Sequence, residues 1–175
     1  MKIVVSGSAG LVGSNIVCTL LNNGDAVSAM VDRDKRALEG LDVTIAAGEI
    51  EDVDSLRVVF TGADAVIHSA GHVSIRKNEW DKLQRLNVQS TCNVAQACLD
   101  AGVKKLVYIS LVHALELEPL DEPLDENRSL ALGGRFTPYD RSKAMAELEI
   151  QQAAKQGLHT TILRPTAVIG LHDHH

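Results

Sequence analysis

The chain has 175 residues, of which 45% are hydrophobic, and a formal net charge of −6 at pH 7. This length suits one domain with a full hydrophobic core, and the negative charge argues against a nucleic-acid-binding surface, which would be basic. No apolar run reaches the length of a membrane span, and the chain starts directly on an apolar strand, so we expect neither a membrane anchor nor a cleavable signal. The three cysteines, Cys18, Cys92 and Cys98, form no Cys-x-x-Cys pair and fall in predicted helices. We interpret them as small core residues in a reducing compartment, which favours a cytoplasmic protein.

The first predicted elements are a buried strand, a glycine-rich turn and an amphipathic helix. Gly7, Gly10 and Gly13 follow the strand with the spacing Gly-x-x-Gly-x-x-Gly. Such a turn brings the backbone close to a diphosphate, and the helix N-terminus supplies free N–H groups and a partial positive charge. The position of the glycines therefore predicts a dinucleotide-binding turn, with a tight structural turn as the alternative interpretation.

The remaining segments alternate between strand and helix. Further strands are predicted at residues 26–31, 42–47, 65–68, 105–110 and 160–163, and further helices at 53–60, 78–101 and 139–156. This alternation predicts an α/β fold with a Rossmann-type, doubly wound parallel sheet in three layers. One long irregular segment, 111–138, carries six acidic residues, and it is interpreted either as a functional loop or as a solvated acidic connector.

An acidic residue follows the second predicted strand. Asp32 lies 19 residues after Gly13, about where dinucleotide folds place an acid that accepts hydrogen bonds from the adenosine ribose. Its carboxylate would repel a 2′-phosphate, which favours NAD, whereas the neighbouring Arg33 could pair with that phosphate and admit NADP. A solvated turn is the alternative interpretation.

The start of the last predicted helix carries a tyrosine and a lysine on one face. Tyr139 and Lys143 are four residues apart, with Thr137 and Pro138 ahead of them as a predicted N-cap and first-turn proline. An ammonium group beside a phenol stabilises the phenolate and lowers the tyrosine pKa from about 10. Such a tyrosine would give a proton to a carbonyl oxygen or take one from a hydroxyl group. An exposed helical pair is the alternative interpretation.

Taken together, these motifs resemble the extended short-chain dehydrogenase/reductase superfamily and its NAD-dependent epimerase/dehydratase group, including the dihydroflavonol-reductase-like members. The matching stretches run in order along the whole chain: residues 5–13, 48–50, 68–71, 87–88, 107–110, 139–143 and 164–166. The resemblance implies an NAD(P)-dependent oxidoreductase or epimerase that exchanges hydride with a secondary alcohol or ketone. It implies a small-molecule substrate, either a carbonyl or alcohol compound or a nucleotide sugar. It also implies a homodimer formed through the long helices at 78–101 and 139–156.

The resemblance further implies which residues bind the cofactor and which carry the chemistry. The residues expected around the cofactor are Gly7, Ala9, Gly10, Leu11, Val12 and Gly13 at the diphosphate, Asp32 and Arg33 at the adenosine ribose, Glu49 and Ile50 at the adenine, Ser69, Ala70, Gly71 and Asn87 along its length, and Pro165, Thr166 and Val168 at the nicotinamide. Tyr139 is the implied acid/base, and Lys143 is implied to bind the nicotinamide ribose while tuning Tyr139.

The sequence departs from the family pattern at the end of the fifth predicted strand and at the end of the chain. Leu111 stands where relatives usually carry a hydroxyl group that hydrogen-bonds the substrate carbonyl. Ser110 is kept as a catalytic candidate, although successive strand residues point to opposite faces. Relatives continue into a smaller C-terminal substrate domain, so residues 1–175 are interpreted as the nucleotide-binding portion, truncated after the sixth strand.

These departures leave two further interpretations of the function open. One is a non-catalytic NAD-binding regulatory module, and the other is an inactive truncated fragment. The closing residues, 171–175, include three histidines. They are interpreted as a frayed end rather than a metal site, because nothing follows them that would hold ligands rigidly.

Overall fold

A six-stranded parallel sheet in the order β3-β2-β1-β4-β5-β6 forms the centre of the molecule. The computed structural model describes residues 1–31, 34–76 and 78–170. The strands are β1 (Lys2–Ser6), β2 (Ala26–Met30), β3 (Thr44–Ala46), β4 (Ala65–His68), β5 (Lys105–Ile109) and β6 (His159–Leu163). This strand order is that of the doubly wound dinucleotide-binding fold, so the predicted Rossmann-type sheet is confirmed.

Helices cover both faces of the sheet. They are α1 (Leu11–Asn22), α2 (Val53–Phe60), α3 (Trp80–Leu83), a π-helical segment (Gln84–Gln89), α4 (Ser90–Asp100) and α5 (Pro138–Lys155). Val17 of α1 packs with Ile3 and Val5 of β1 on one face. Phe60 of α2 and Ile150 of α5 pack with Val4 on the other face. Because alternate residues of β1 point into two different cores, the strand is apolar at nearly every position.

Element boundaries differ from the predicted ones by two residues at two places, and elsewhere by no more than one residue. The predicted helix 78–101 begins only at Trp80 and contains the π-helical turn, which carries the buried Asn87. Hydrophobic periodicity does not distinguish a π turn from the α-helix around it, and π turns are frequent at functional sites. The third strand, predicted at 42–47, is only Thr44–Ala46. The predicted cap of α2 is confirmed, since the Asp52 carboxylate accepts a hydrogen bond from the Asp54 backbone N–H at 3.0 Å.

The long connector between β5 and α5 is ordered by backbone contacts. It contains a 3-10 turn at Val112–Ala114 and an antiparallel bridge between Leu115 and Leu130. Its acidic side chains are mostly exposed, whereas Ala114 and Ala131 are buried against Ala144 of α5. The connector is therefore solvated on its acidic side and packed on its apolar side.

All three cysteines are free thiols, but only Cys98 lies in the core, and Cys18 and Cys92 are half-buried. In the described parts of the chain, no helix is both long and apolar enough to cross a membrane. The roles predicted for Asp32 and Arg33, and the interpretation of residues 171–175, fall outside the described residues.

Candidate dinucleotide-binding and catalytic site

The candidate site lies where the sheet changes its direction of growth. The strands β1 and β4 are neighbours, and the chain runs outward from β1 through β2 and β3 before it returns on the other side at β4. In open parallel sheets, ligands bind in the crevice outside the carboxyl ends of the strands at this switch point. Gly7 follows directly on β1, and Ser69 follows directly on β4, so both predicted cofactor-binding stretches open onto the same crevice.

Two of the three glycines in the turn after β1 are required by close backbone approach. Gly7 has a φ of +69°, and a Cβ there would lie 2.5 Å from the Ala70 backbone N. A Cβ on Gly13 would lie 2.1 Å from the Gly7 carbonyl oxygen. A Cβ on Gly10 would approach the same oxygen only to 3.4 Å. Gly7 and Gly13 therefore hold the turn against α1 and β4, while a Cβ on Gly10 would make only an ordinary van der Waals contact.

The first turn of α1 presents unpaired backbone donors. Gly10 is the N-cap, and no side chain of the described residues caps this end. The first bond of the helix runs from the Ser14 N–H to the Gly10 carbonyl at 2.9 Å. The N–H groups of Leu11, Val12 and Gly13 consequently have no partner among the described residues. Together with the positive end of the helix dipole, these donors suit an anionic diphosphate.

Gly13→Ala is expected to lower the free energy of unfolding by about 3 kcal/mol and to weaken NADH binding at least about 100-fold, because the backbone must move to admit the Cβ. Urea unfolding and calorimetric titration with NADH measure the two effects. Gly10→Ala is the matched control, since its Cβ meets the Gly7 oxygen at 3.4 Å, and it should retain most of the stability. Equal stability losses in the two variants would contradict the role of close approach at Gly13.

Beyond β4, the chain continues in small residues that lie close to the last helix. The Ser69 hydroxyl donates to the Ser6 carbonyl oxygen at 2.7 Å and fixes the exit of the strand. A Cβ on Gly71 would lie 3.4 Å from Asn87 Oδ1 and 4.0 Å from Lys143 Nζ. Gly71, Asn87 and Lys143 therefore lie next to one another.

Asn87 is held in place by a buried hydrogen-bond set. Its Oδ1 accepts from the His72 backbone N–H at 2.7 Å, and its Nδ2 donates to the Ser142 hydroxyl at 2.9 Å. Ser142 in turn donates to the Tyr139 carbonyl oxygen at 2.7 Å. The π-helical turn thus connects the end of β4 to the first turn of α5. Sequence reasoning missed Ser142, which stands between the two members of the Tyr-x-x-x-Lys motif.

The loop after β3 is tied to the helix that follows β4. Glu49 is exposed, and its backbone N–H donates to the Ser55 hydroxyl at 3.1 Å. Ile50 packs against the core, and the Asn93 side chain donates to the Glu51 carbonyl oxygen at 3.0 Å. Arg85 forms an ion pair with the Glu51 carboxylate. The residues predicted to flank the adenine therefore sit on a loop held at both ends.

His68 at the end of β4 is a structural residue in a neutral state. The Thr91 hydroxyl donates to the Asn87 carbonyl oxygen at 2.6 Å, so His68 Nε2 must donate to Thr91 Oγ1 at 3.0 Å. Nδ1 then accepts from the Ser6 hydroxyl at 2.7 Å. Burial, with a smaller contribution from the Lys143 charge, lowers the pKa of His68 to about 3. The interpretation of His68 as a satisfied core histidine is confirmed.

The predicted effect of Lys143 on Tyr139 is wrong for the structure described here. Lys143 Nζ donates to the Ile109 carbonyl oxygen at 2.7 Å and lies 4.4 Å from the centre of the Tyr108 ring. The pKa of Tyr139 is raised, chiefly by burial and then by the neighbouring Asp140 carboxylate. Tyr139 is therefore a protonated phenol at neutral pH. The sequence motif gave the spacing of the pair but not the direction of the lysine side chain.

Burial lowers the pKa of Lys143 from its ordinary value of 10.5 to about 7, and the smaller effect of the Glu147 charge raises it. Between these two pH values the unfolded chain binds more protons than the folded one, so the free energy of unfolding should rise with pH. Lys143 should raise the free energy of unfolding by at most about 1.4 kcal/mol per pH unit, and this rise should end near pH 10.5. Urea unfolding of the wild type and Lys143→Met across this window measures it. Parallel pH dependences of the two proteins would contradict the assignment.

At the end of β5, Ser110 is the residue that the sequence analysis kept as a catalytic candidate. It is buried, and its Oγ has no hydrogen-bond partner in the described residues. Its backbone N–H donates to the Leu163 carbonyl oxygen at 2.8 Å. Leu111 is half-buried and packs with Leu130 and Phe136 against the connector's core. The strand therefore directs an apolar side chain where the family motif has a hydrogen-bond donor.

A buried ion pair connects α5 to the end of β6. The Arg164 guanidinium contacts both oxygens of the fully buried Glu147 carboxylate, through Nε at 2.9 Å and a terminal nitrogen at 2.7 Å. Sequence reasoning missed Glu147. The sequence did contain an indication of its role. Glu147 lies on the same apolar helix face as Ala144 and Ile150, and a buried carboxylate needs a cationic partner.

The segment after β6 passes close to the first turn of α1. The Pro165 carbonyl oxygen accepts from the Val112 N–H at 3.0 Å, which holds this segment beside β5. Thr166 and Val168 are exposed, and a Cβ on Gly170 would lie 3.5 Å from Leu11 Cδ1. The stretch predicted to border the nicotinamide therefore spans from the end of β5 to the diphosphate-binding turn.

A parallel sheet with a close-packed glycine turn and free helix donors at its switch point defines a dinucleotide-binding protein. The family model described as the NAD dependent epimerase/dehydratase family matches residues 3–175. The chain belongs to this family. The expected cofactor, NAD, is confirmed at the level of the family, and the glycine cradle described above fits it.

Three similar proteins illustrate the range of the family. The chain is 34% identical over 175 residues to sterol demethylase protein B of Methylococcus capsulatus, covering 99% of this chain and 53% of that protein. It is 30% identical to the 4-hydroxy-2-methyl-3-oxo-4-farnesyl-3,4-dihydroquinoline-1-oxide ketoreductase of Stigmatella aurantiaca, covering 99% of this chain and 52% of that protein. WbmG of Bordetella bronchiseptica, in complex with NAD and UDP, matches with a TM-score of 0.79 and 26% identity over 94% of this chain and 52% of that one. The chain thus spans about half the length of the relatives it matches.

Proposed function

We propose that this chain is the NAD(H)-binding portion of an oxidoreductase that acts on a ketone or a secondary alcohol. The observation that carries the proposal is the close grouping of Gly71, Asn87 and Lys143, in which a Cβ on Gly71 would lie 3.4 Å from Asn87 Oδ1 and 4.0 Å from Lys143 Nζ. It lies between the diphosphate-binding turn and the helix that carries Tyr139. NAD(H), when bound, would supply or accept the hydride.

The binding roles follow the crevice from one end to the other. The free N–H groups of Leu11, Val12 and Gly13 would hold the diphosphate, with Ala9 and Gly10 leaving room for it. Glu49 and Ile50 would flank the adenine on their tethered loop. Ser69, Ala70 and Asn87 would line the middle, and Pro165, Thr166 and Val168 the nicotinamide end. The choice of NAD over NADP stays a prediction from Asp32 and Arg33.

Tyr139 would handle the proton at the substrate oxygen. Its raised pKa keeps the phenol protonated, and a protonated phenol is the form that donates to a carbonyl oxygen. Near neutral pH the phenol would therefore give its proton to the substrate oxygen during carbonyl reduction. Lys143, with a pKa lowered to about 7 by burial, would bind the nicotinamide ribose.

A non-catalytic NAD-binding module is the second candidate function, and the end of β5 supports it. Ser110 Oγ is buried without a partner in the described chain, and Leu111 replaces the usual donor to the substrate oxygen. One missing donor of this kind typically costs about 10²–10³ in rate. Single-turnover oxidation of NADH with a panel of ketones separates the two candidates, since only the enzyme would consume NADH.

Calorimetric titration of the folded chain with NADH tests coenzyme binding, which both candidate functions require. We expect saturable binding to one site, with NADH bound more tightly than NADPH and a smaller difference in Asp32→Ala. Absence of heat with either coenzyme, on material that unfolds cooperatively, would overturn the proposal.

Two further expectations from the sequence also remain proposals. A homodimer would use the exposed faces of the two long helical stretches, the one that ends with α4 and α5 itself. On α5, the side chain of Leu148 is 41% exposed. Sedimentation of the wild type and Leu148→Glu would test it, and a wild-type monomer would exclude it. A cytoplasmic location is proposed from the three free thiols.

A further inference from the structure

The loop that joins β4 to α3, residues 69–79, is closed on the Glu79 carboxylate. The Ser74 hydroxyl and then His72 are the main hydrogen-bonding groups that lower the pKa of Glu79 to about 2. The carboxylate is therefore ionised at neutral pH, where it can only accept, so His72 Nε2 donates to Glu79 Oε2 at 3.0 Å. Arg76 adds an ion pair at 3.5 Å. One carboxylate thus gathers three side chains of the β4–α3 loop.

His72 also connects this loop to the first turn of α5 through Asn87. The His72 N–H donates to Asn87 Oδ1 at 2.7 Å, and Asn87 Nδ2 donates to the His72 carbonyl oxygen at 3.0 Å. The same Nδ2 donates to Ser142 Oγ at 2.9 Å. Ser142 donates in turn to the Tyr139 carbonyl oxygen at 2.7 Å. Two side chains therefore separate the loop backbone from the backbone of Tyr139.

A second contact between the loop and α5 comes directly after Glu79. Trp80 is the only tryptophan of the chain, and the central carbon of the Arg141 guanidinium lies 4.4 Å from the centre of its ring. Arg141 Nε is buried and has no hydrogen-bond partner among the described residues, so the stack on Trp80 is the contact that orients this group. Because Arg141 stands between Tyr139 and Lys143 in the sequence, the stack holds the same turn of α5.

The other anchors of this turn act from different directions. Thr137 Oγ1 accepts from the Asp140 N–H at 3.1 Å, which sets where the helix begins. Lys143 Nζ donates to the Ile109 carbonyl oxygen at 2.7 Å and holds the next turn to β5. Neither contact reaches the β4 side of the sheet, which is where the β4–α3 loop holds Tyr139.

We propose that Glu79 is a positioning residue for Tyr139. Its carboxylate closes the β4–α3 loop, and the closed loop holds the first turn of α5 through the Asn87 amide and the Trp80 ring. The inference rests on the proposed function only for the part that Tyr139 plays in the reaction.

Titration of the Tyr139 phenol tests this positioning without any coenzyme. In a Tyr108→Phe background Tyr139 is the only tyrosine, so tyrosinate absorbance follows its ionisation alone. Burial is the main cause of its raised pKa, and a loosened turn should therefore lower that pKa toward the ordinary value of about 10. Glu79→Ala should show this fall, and Glu79→Gln, which keeps an acceptor oxygen and changes the loop less, should show a smaller one. Asp81→Ala, which removes a neighbouring exposed acid, is the matched control and should show none.

Single-turnover hydride transfer from saturating NADH to 4-phenyl-2-butanone tests the consequence for the reaction. Glu79→Ala should slow the transfer at least about tenfold, because small displacements of a catalytic group are costly. The affinity for NADH should change little, since the diphosphate-binding turn after β1 is untouched. Asp81→Ala should transfer hydride at the wild-type rate.

Two results would overturn the inference. One is a Tyr139 pKa that is the same with and without Glu79→Ala. The other is a lowered pKa accompanied by an unchanged rate of hydride transfer. If no variant and no wild-type protein transfers hydride but the pKa falls in Glu79→Ala, the proposed reaction fails while the positioning of Tyr139 by Glu79 stands.

Discussion

Tyr139→Phe is expected to slow the single-turnover transfer of hydride from NADH to a ketone by about 10²–10⁴-fold, while the affinity for NADH stays within about twofold. The substitution removes the proton that the substrate oxygen must receive and leaves the ring in place. Tyr139 is half-buried on the first turn of α5, and its raised pKa keeps that proton on the phenol near neutral pH. Rapid mixing with a ketone, followed by NADH absorbance, measures the rate.

The chain supplies its own control for this experiment, because it has only two tyrosines. Tyr108 is 1% exposed, and its hydroxyl has no hydrogen-bond partner among the described residues. Tyr108→Phe should therefore leave stability and hydride transfer nearly unchanged, since an unpaired buried hydroxyl contributes nothing favourable. Equal rates in the wild type and Tyr139→Phe would remove Tyr139 from the mechanism. No transfer in either protein, with NADH binding intact, would support the non-catalytic module.

Arg164→Met is expected to lower the free energy of unfolding by about 3–5 kcal/mol, because it leaves the Glu147 carboxylate buried without its cation. Glu147 is 0% exposed and Arg164 is 15% exposed, so water screens the pair weakly. Urea unfolding at neutral pH measures the change. The double variant Glu147→Leu with Arg164→Met should recover most of the loss, since two apolar residues of similar volume need no partner.

A surface ion pair provides the comparison. Lys104 contacts Asp64 at 2.8 Å, but the lysine side chain is 78% exposed. Lys104→Met should lower the free energy of unfolding far less than Arg164→Met does, because water screens an exposed ion pair. If Arg164→Met lowers the free energy of unfolding as little as Lys104→Met does, the buried pair is not a structural link between α5 and β6. If the double variant is no more stable than Arg164→Met, the loss comes from packing rather than from an unpaired charge.

The buried pair also bears on the candidate site. It joins the helix that carries Tyr139 and Lys143 to the residue that precedes Pro165 and Thr166. The Glu147 carboxylate raises the pKa of Lys143, opposing the larger effect of burial. Removing Glu147 should therefore lower the Lys143 pKa further, which the pH dependence of stability described above would detect.

Local patterns were enough to predict most of the fold. Apolar runs bounded by turn residues marked each strand, and the Asp52 and Thr137 caps marked the starts of two helices. The glycine spacing located the diphosphate-binding turn, because a residue without a Cβ is needed wherever two backbones approach within about 3 Å. The π-helical turn around Asn87 was missed, since its periodicity is too close to that of the helix around it.

The sequence by itself determined the order of strands and helices, the glycine turn and the spacing of Tyr139 and Lys143, because each depends on residues close together in the chain. Only the tertiary structure decided that Lys143 turns to the Ile109 carbonyl oxygen, that Glu147 meets Arg164 and that the connector packs against α5. Those features depend on contacts between residues far apart in the sequence. Which partners meet is set by the packing of helices on the sheet, and a buried charge or polar group then takes the partner that this packing brings within reach.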